Sequence, residues 1–312
     1  MLPTLLATLE PPSRPEPAPA VSWAPFRHDI EARLAVLLGD PPGGGSPVTA
    51  AMRYGTLSPG KRVRPLLLLL AARSLGVCTR SVIDVACALE MVHAASLYLD
   101  DLPCMDDATS RRGQPTVHAV FGEDVATLSA VALLTHALHT VATTPALPSS
   151  IRASMVAALT GAVGVQGLVA GQCDDLHAHV AGMSADSVEQ INDRKTGALF
   201  AVAFELAAIA ADSDPPVRLA MRQAALELGR AFQLADDLAD AEVDARAVPA
   251  GDPSAPGRAT VVARLGIRRT RQRLDGHVSE AERLIALAVP GGADLLELTR
   301  AMFAPAAAVS AA

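Results

Sequence analysis

Apolar residues recur at helical spacing along almost the whole of this 312-residue chain, and short Gly- and Pro-rich breaks separate the runs. No stretch alternates apolar and polar residues as a half-buried strand would. Half of the residues are apolar, mostly Ala, Leu and Val, while aromatics make up only 3%. The pattern predicts an all-α helical bundle, with helices over roughly 21–39, 61–76, 79–101, 115–142, 149–179, 184–212, 215–240, 258–288 and 293–303. The breaks are short, which predicts a single domain over 21–305. Residues 1–20, rich in Pro and Ala, are expected to be disordered, and 306–312 form a flexible tail. The longest irregular stretch, 241–257, carries three prolines and is a candidate active-site loop.

The charge balance excludes several function classes. A net charge of −7 leaves no basic stripe for a nucleic-acid partner. Cys78, Cys87, Cys104 and Cys173 lack zinc-like or disulfide-framework spacing, so a reducing cytoplasm is expected. The densest apolar run, Leu66 to Ala72, is bracketed by Arg64 and Arg73. It falls short of the about 20 residues that cross a bilayer, and no membrane span is expected.

Only two lysines occur, Lys61 and Lys195, against 24 arginines. Both lie in short polar motifs, Gly60-Lys61-Arg62-Val63-Arg64-Pro65 and Arg194-Lys195-Thr196-Gly197. An ammonium on a flexible stem is not equivalent to a rigid guanidinium fork, and its retention at two places points to phosphate chemistry. Two aspartate clusters complete the set. The first is Asp100-Asp101-Leu102-Pro103-Cys104-Met105-Asp106-Asp107, followed by Arg111-Arg112-Gly113. The second is Phe232-Gln233-Leu234-Ala235-Asp236-Asp237-Leu238-Ala239-Asp240. Asp236 and Asp240 stand one helical turn apart on one face. Asp101 and Asp106 do not, but a break at Pro103 would bring Asp106 back toward Asp100. Carboxylates crowded at the mouth of an apolar interior repel one another unless cations lie between them. Mg²⁺ suits such a set, because it takes oxygen ligands, keeps waters and is shared with substrate phosphates.

Taken together, GKRVRP (60–65), DDLPCMDD with RRG (100–113), VGVQGLVAGQ (163–172), KTG (195–197) and FQLADDLAD (232–240) resemble the trans-prenyl diphosphate synthase family. The likeness runs from about residue 25 to 303 and is strongest to the bacterial geranylgeranyl diphosphate synthases of carotenoid pathways. It implies a helical bundle around a central apolar cavity, usually homodimeric. It also implies head-to-tail condensation of isopentenyl diphosphate with an allylic prenyl diphosphate. By the same resemblance Asp100, Asp101 and Asp106 would hold two Mg²⁺ ions on the allylic diphosphate. Asp236 and Asp237 would hold a third, with Asp240 in support. Lys195 and Arg111 would clamp that diphosphate, and isopentenyl diphosphate would sit on Lys61, Arg64, His93 and Arg112. Thr196 and Gln233 would steady the allylic cation.

Ala95 and Ser96, four to five residues before Asp100, are small where a tyrosine or phenylalanine would floor the cavity at C15. Met91 and Val92 form the next layer, and a C20 product is expected. His118 carries no comparable argument and is read as structural, Cys173-Asp174-Asp175 as a helix-face or helix-end feature, and Phe200 and Phe204 as core. The resemblance breaks at one place: the family's lysines after the second cluster are missing, and Arg258, with Arg246, stands in. Two other readings are a non-catalytic partner subunit and a class I terpene cyclase. The first is at odds with the presence of both aspartate clusters. The second needs no isopentenyl site, against Gly60–Pro65 and His93.

Overall fold

The computed structural model describes residues 23–39, 45–177, 184–246 and 260–304. The expected termini 1–20 and 306–312 lie outside them, as does most of the 241–257 stretch. The chain divides into two compact units, Val21–Leu159 with Leu206–Asp212, and Thr160–Glu205 with the residues from Ser213 onward.

In the first unit the order is α1 (Ala24–Leu37), α2 (Pro47–Thr56), α3 (Val63–Ser74), α4 (Thr79–Asp100), a two-stranded ladder of β1 (Ser110–Arg111) and β2 (Gln114–Pro115), α5 (Val117–Phe121), α6 (Glu123–Thr143) and α7 (Ser149–Val163), whose last residues belong to the other unit. The α2 helix was not anticipated. Its start is encoded by Ser46, whose Oγ accepts from the Thr49 N–H at 3.3 Å, and by Pro47 in the first turn. Residues Pro65 to Ala72 of α3 are all buried. Five successive leucines there contribute about 1.5–3 kcal/mol each relative to exposure. Helix α4 buries Val82, Val85, Ala86, Leu89, Met91, Val92 and Ala95 and packs chiefly on α6 and α3. It thereby carries its C-terminal aspartates on a fixed rod.

In the second unit follow α8 (Leu168–His177), α9 (Ala185–Asn192), a π-helical turn (Asp193–Gly197), α10 (Ala198–Ala210), whose residues from Leu206 onward belong to the first unit, α11 (Pro215–Arg246), α12 (Val261–Leu265), α13 (Ile267–Ala288) and α14 (Ala293–Phe303). The α11 helix packs along α13 and runs six residues past the expected end at Asp240. Phe200 and Phe204 are fully buried, as expected of core residues. Val188, Leu234 and Val261 form a small cluster that docks α12 on α9 and α11.

Three single helices expected from spacing are each divided. Gly122, at φ 92°, separates α5 from α6, and Gly266, at φ 75°, separates α12 from α13, because a left-handed residue breaks the ladder that apolar periodicity alone would continue. The third break separates α7 from α8 at 164–167. The expectation that no segment is long and apolar enough to cross a bilayer is also corrected. Thr79–Asp100, Glu123–Thr143 and the Ser149–His177 segment are each long and apolar enough to cross a membrane by length and composition. Scattered polar residues hid this from a search for unbroken runs. For α4 the apolarity is largely explained by burial, whereas α6 leaves Leu128 and Val131 more than half exposed.

Candidate active site

Within the first unit, α4 ends at Asp100 and the chain folds back after Pro103. The Asp106 N–H donates to the Asp100 carbonyl at 2.9 Å, and the Ala108 N–H donates to that of Asp101 at 3.2 Å. The break expected at Pro103 therefore does return Asp106 to the helix end. Asp101 is buried and accepts a forked pair from Arg111, Nη2 at 2.6 Å and Nε at 2.8 Å. Burial alone would lower the Arg111 pKa. The bonds to Asp101 and the fields of Asp101, Asp100 and Asp106 outweigh it and raise the guanidinium above its usual range. His118 Nε2 donates to the Ala108 carbonyl at 3.0 Å, pinning the aspartate loop in the structural role expected of it.

The β1–β2 ladder was not legible as alternation, being two residues long on each side. Ser110 pairs with Pro115 and Arg111 with Gln114, while Arg112 (φ 53°) and Gly113 (φ 77°) form the turn. Two consecutive positive φ values are the mark of tight hairpins, and the Arg-Gly dipeptide was the available signal. The hairpin separates two neighbouring arginines by role: Arg111 turns to the aspartates and Arg112 to a cationic group. Gly60 makes room for the latter, since a Cβ there would lie 2.6 Å from Arg112 Nη1.

That cationic group contains residues that the sequence reading did not single out. Arg62, at φ 51°, caps α3 and is buried. Its Nη1 donates to buried Glu90 at 2.8 Å and its Nη2 to the Ser58 carbonyl at 2.8 Å. Lys61 is exposed. Arg64 Nη1 lies 3.4 Å from His93 Nε2. A guanidinium can only donate, so His93 accepts at Nε2 and carries its proton on Nδ1. Burial, then the charges of Arg64, Arg112, Arg111 and Arg62, press the His93 pKa well below its ordinary value. Burial and the neighbouring Arg62 and Arg111 likewise lower Arg112, with Glu90 opposing them. Among the described residues no carboxylate forms an ion pair with Arg112. One pocket is lined by Arg62, Glu90, His93, Asp101, Arg111 and Arg112. Along α4 beneath it, Ala95, Met91 and Val92 are buried, and Ser96 Oγ donates to the His93 carbonyl.

In the second unit the π-helical turn presents Lys195 and Thr196. Glycines let it approach its neighbours: a Cβ on Gly171 would lie 2.3 Å from the Lys195 nitrogen, and one on Gly229 2.9 Å from the Gly197 Cα. Lys195 Nζ donates to Asp175 at 2.6 Å, and Arg194 pairs with Asp174 at 2.7 Å. The acidic pair read as a helix-face or helix-end feature is thus engaged with the lysine motif. Thr196 Oγ1 donates to Gln233 Oε1 at 2.9 Å, and Gln233 Nε2 donates to Asp237 Oδ1 at 3.0 Å. The Val261 N–H donates to Asp237 Oδ2 at 3.2 Å.

Asp237 is therefore buried with a hydrogen bond to each oxygen, as Asp101 is, and each Asp237 oxygen keeps a further lone pair. Burial raises its pKa, the Gln233 and Val261 bonds oppose, and Asp240 and Asp175 raise it further. Asp236 and Asp240 are exposed one turn apart on α11. Arg258 lies outside the described residues. Among the described residues no three His, Cys, Asp or Glu side chains gather closely enough to hold an ion unaided. The aspartates supply hard oxygen donors in an acidic field, and Mg²⁺ completes its shell with water and phosphate. The donor set fits Mg²⁺ shared with a diphosphate.

Residues 46–279 match the Polyprenyl synthetase family. The chain is 43% identical over 280 residues to a geranylgeranyl diphosphate synthase of Pseudescherichia vulneris, covering 89% of this chain and 90% of that protein. It is 44% identical over 266 residues to one of Pantoea ananas, covering 85% and 87%. The structure resembles that of an FPP/GFPP synthase from Zymomonas mobilis in its apo form, with a TM-score of 0.81 and 29% identity over 97% of this chain and 100% of the other. Helical architecture, motif order and these likenesses agree: the chain belongs to the polyprenyl synthetase family and is a prenyltransferase.

Proposed function

We propose that this chain condenses isopentenyl diphosphate head to tail with allylic prenyl diphosphates, ending at geranylgeranyl diphosphate. The observation that carries the reading is the division made by the β1–β2 hairpin. Arg111 is turned to Asp101, while Arg112 joins Arg62 and His93. A carboxylate group suits a diphosphate that arrives with metal ions, and a cationic group suits one that does not. A cyclase needs only the first.

In the reaction the allylic C–O bond breaks, its electron pair leaving with the diphosphate. The double bond of isopentenyl diphosphate attacks the resulting cation, and a proton is lost to the released diphosphate. Asp100, Asp101 and Asp106 would hold two Mg²⁺ ions, and Asp236 and Asp237, with Asp240 in support, would hold a third; the metal would supply charge neutralisation of the leaving group. Asp237 also orients Gln233, whose amide donates to it. Lys195 and Arg111 bind the allylic diphosphate. Lys61, Arg64, Arg112 and the Nδ1–H of neutral His93 bind isopentenyl diphosphate, and Arg258 adds a further phosphate contact. Thr196 and Gln233 stabilise the cation, and apolar helix faces exclude the water that would quench it. Small Ala95 and Ser96 let the tail pass, and Met91 and Val92 stop it near C20. Residues 21–305 act as the catalytic domain. The exposed apolar residues of α6 support assembly as a homodimer, and the four free thiols support residence in a reducing cytoplasm. The likeness to carotenoid-pathway enzymes supports supply of that pathway.

The test is incubation of the purified chain with Mg²⁺, isopentenyl diphosphate and C5, C10 or C15 allylic diphosphates, with products sized by mass. A C20 diphosphate is expected from each primer. Folded protein that elongates none of them refutes the reading, and a cyclised hydrocarbon replaces it with the cyclase.

A further inference from the structure

The π-helical turn that carries Lys195 holds one residue more per turn than an α-helix and persists only where its surroundings over-determine it. Two pins fasten it to α11. At its end, Thr196 bonds Gln233. At its start, Asp193 receives a forked pair from Arg230, Nε to Oδ1 at 2.9 Å and Nη2 to Oδ2 at 2.7 Å. Arg230 directly follows Gly229, where α11 comes against Gly197 of the turn, and precedes Gln233 by three residues, so both pins lie on one helical turn of α11. The remaining guanidinium nitrogen is committed too. Nη1 donates to Glu227 at 2.9 Å, whose other oxygen lies 2.5 Å from His277 Nδ1 on α13. The fork is thus held from behind and cannot swing away from Asp193 without breaking a second contact. Lys195 lies between the two pins with its ammonium on Asp175.

We propose that Asp193 and Arg230 are a positioning pair: their ion pair fixes the register of the π-helical turn and thereby aims Lys195 and Thr196 at the allylic diphosphate. The proposal rests on Lys195 binding that diphosphate. A bidentate fork defines direction as well as distance, which a single contact does not. Loosening it lets the turn relax toward regular helix, rotating both side chains away from the substrate.

The test uses the full chain with Mg²⁺ and measures KM separately for farnesyl diphosphate and isopentenyl diphosphate, alongside the thermal midpoint. Asp193→Asn and Arg230→Gln are each expected to raise the farnesyl diphosphate KM roughly tenfold, the scale of a small misplacement of a binding group. The isopentenyl diphosphate KM should stay within about twofold by the same argument. If Asp193→Asn does not fold, Arg230→Lys keeps the charge, loses the fork and should show the same one-sided effect. Unchanged farnesyl diphosphate KM in the single variants overturns the proposal, as does an equal rise in both KM values that follows the thermal midpoint. Lys195→Ala is measured in parallel. If it leaves the farnesyl diphosphate KM intact, the assignment of Lys195 falls, a result separate from failure of the pair alone.

Discussion

Substituting Gly171 by alanine sets a gain against a loss, and the geometry decides the sign. In a helix interior alanine is favoured over glycine by about 1 kcal/mol. The new Cβ would sit 2.3 Å from the Lys195 nitrogen, 2.6 Å from the Arg194 carbonyl carbon and 2.8 Å from the Lys195 Cα. All three are backbone atoms, so no side chain can rotate aside. Restoring ordinary contact needs a shift of roughly 1 Å in α8 or in the π-helical turn, and overpacking of this kind costs about 1–3 kcal/mol or more. With three backbone atoms inside 3.0 Å the cost falls in the upper part of that range, about 2–3 kcal/mol, so Gly171→Ala should destabilise by about 1–2 kcal/mol net and lower the thermal midpoint by roughly 2–5 °C. Gly276, inside α13, has no atom within 4 Å of the corresponding Cβ. Gly276→Ala should therefore raise the midpoint by about 1–3 °C. Differential scanning calorimetry of the two variants beside the parent measures both. A Gly171→Ala protein as stable as the Gly276→Ala protein, with an unaltered KM for the allylic diphosphate, would refute the close approach of α8 to the lysine-bearing turn.

Glu90→Gln removes the buried partner of Arg62, leaves only the more exposed Glu31 at 3.8 Å from its Nε, and should cost about 3 kcal/mol, read as a loss of thermal stability larger than that of Gly171→Ala. Burial and surrounding arginines hold the His93 pKa below its unfolded value. The stability this contributes is complete above the unfolded pKa near 6.5 and is lost as pH falls toward the depressed folded value. Melting curves between pH 7 and pH 5 should consequently flatten in His93→Gln, and an unchanged slope would contradict the neutral assignment. Ala95→Tyr should shorten the main product to C15, since about 150–250 Å² of aromatic side chain then fills the layer below the aspartates. Product mass measures this, and continued C20 output would remove Ala95 from the chain-length layer.

Most of the helical order was legible because burial repeats every three to four residues and leaves a trace in composition. The divisions at Gly122 and Gly266 were not, because a single positive φ interrupts hydrogen bonding without altering the apolar period. Asp100, Asp101 and Asp106 were readable as a group, since proline marks the turn that reunites them. Partnership was the less readable property. Nothing in the order of residues says that Asp237 accepts from Gln233 and Val261, or that Asp175 meets Lys195 across twenty positions. Arg62 and Glu90 escaped notice for the same reason: neighbouring charges in a motif look alike until burial separates them. The hairpin at 110–115 was too short for any periodicity to register.

The bonds that end at Asp237 have a direction. The Val261 N–H points to it, the Gln233 amide N–H points to it, and the Thr196 hydroxyl proton points along the same path to Gln233 Oε1. An ionised carboxylate can only receive, so it decides which end of the Gln233 amide faces Thr196. With its proton committed inward, Thr196 turns its lone pairs outward. A buried acid thereby sets the polarity of a neutral hydroxyl, making of it an electron-rich rim suited to a passing positive charge.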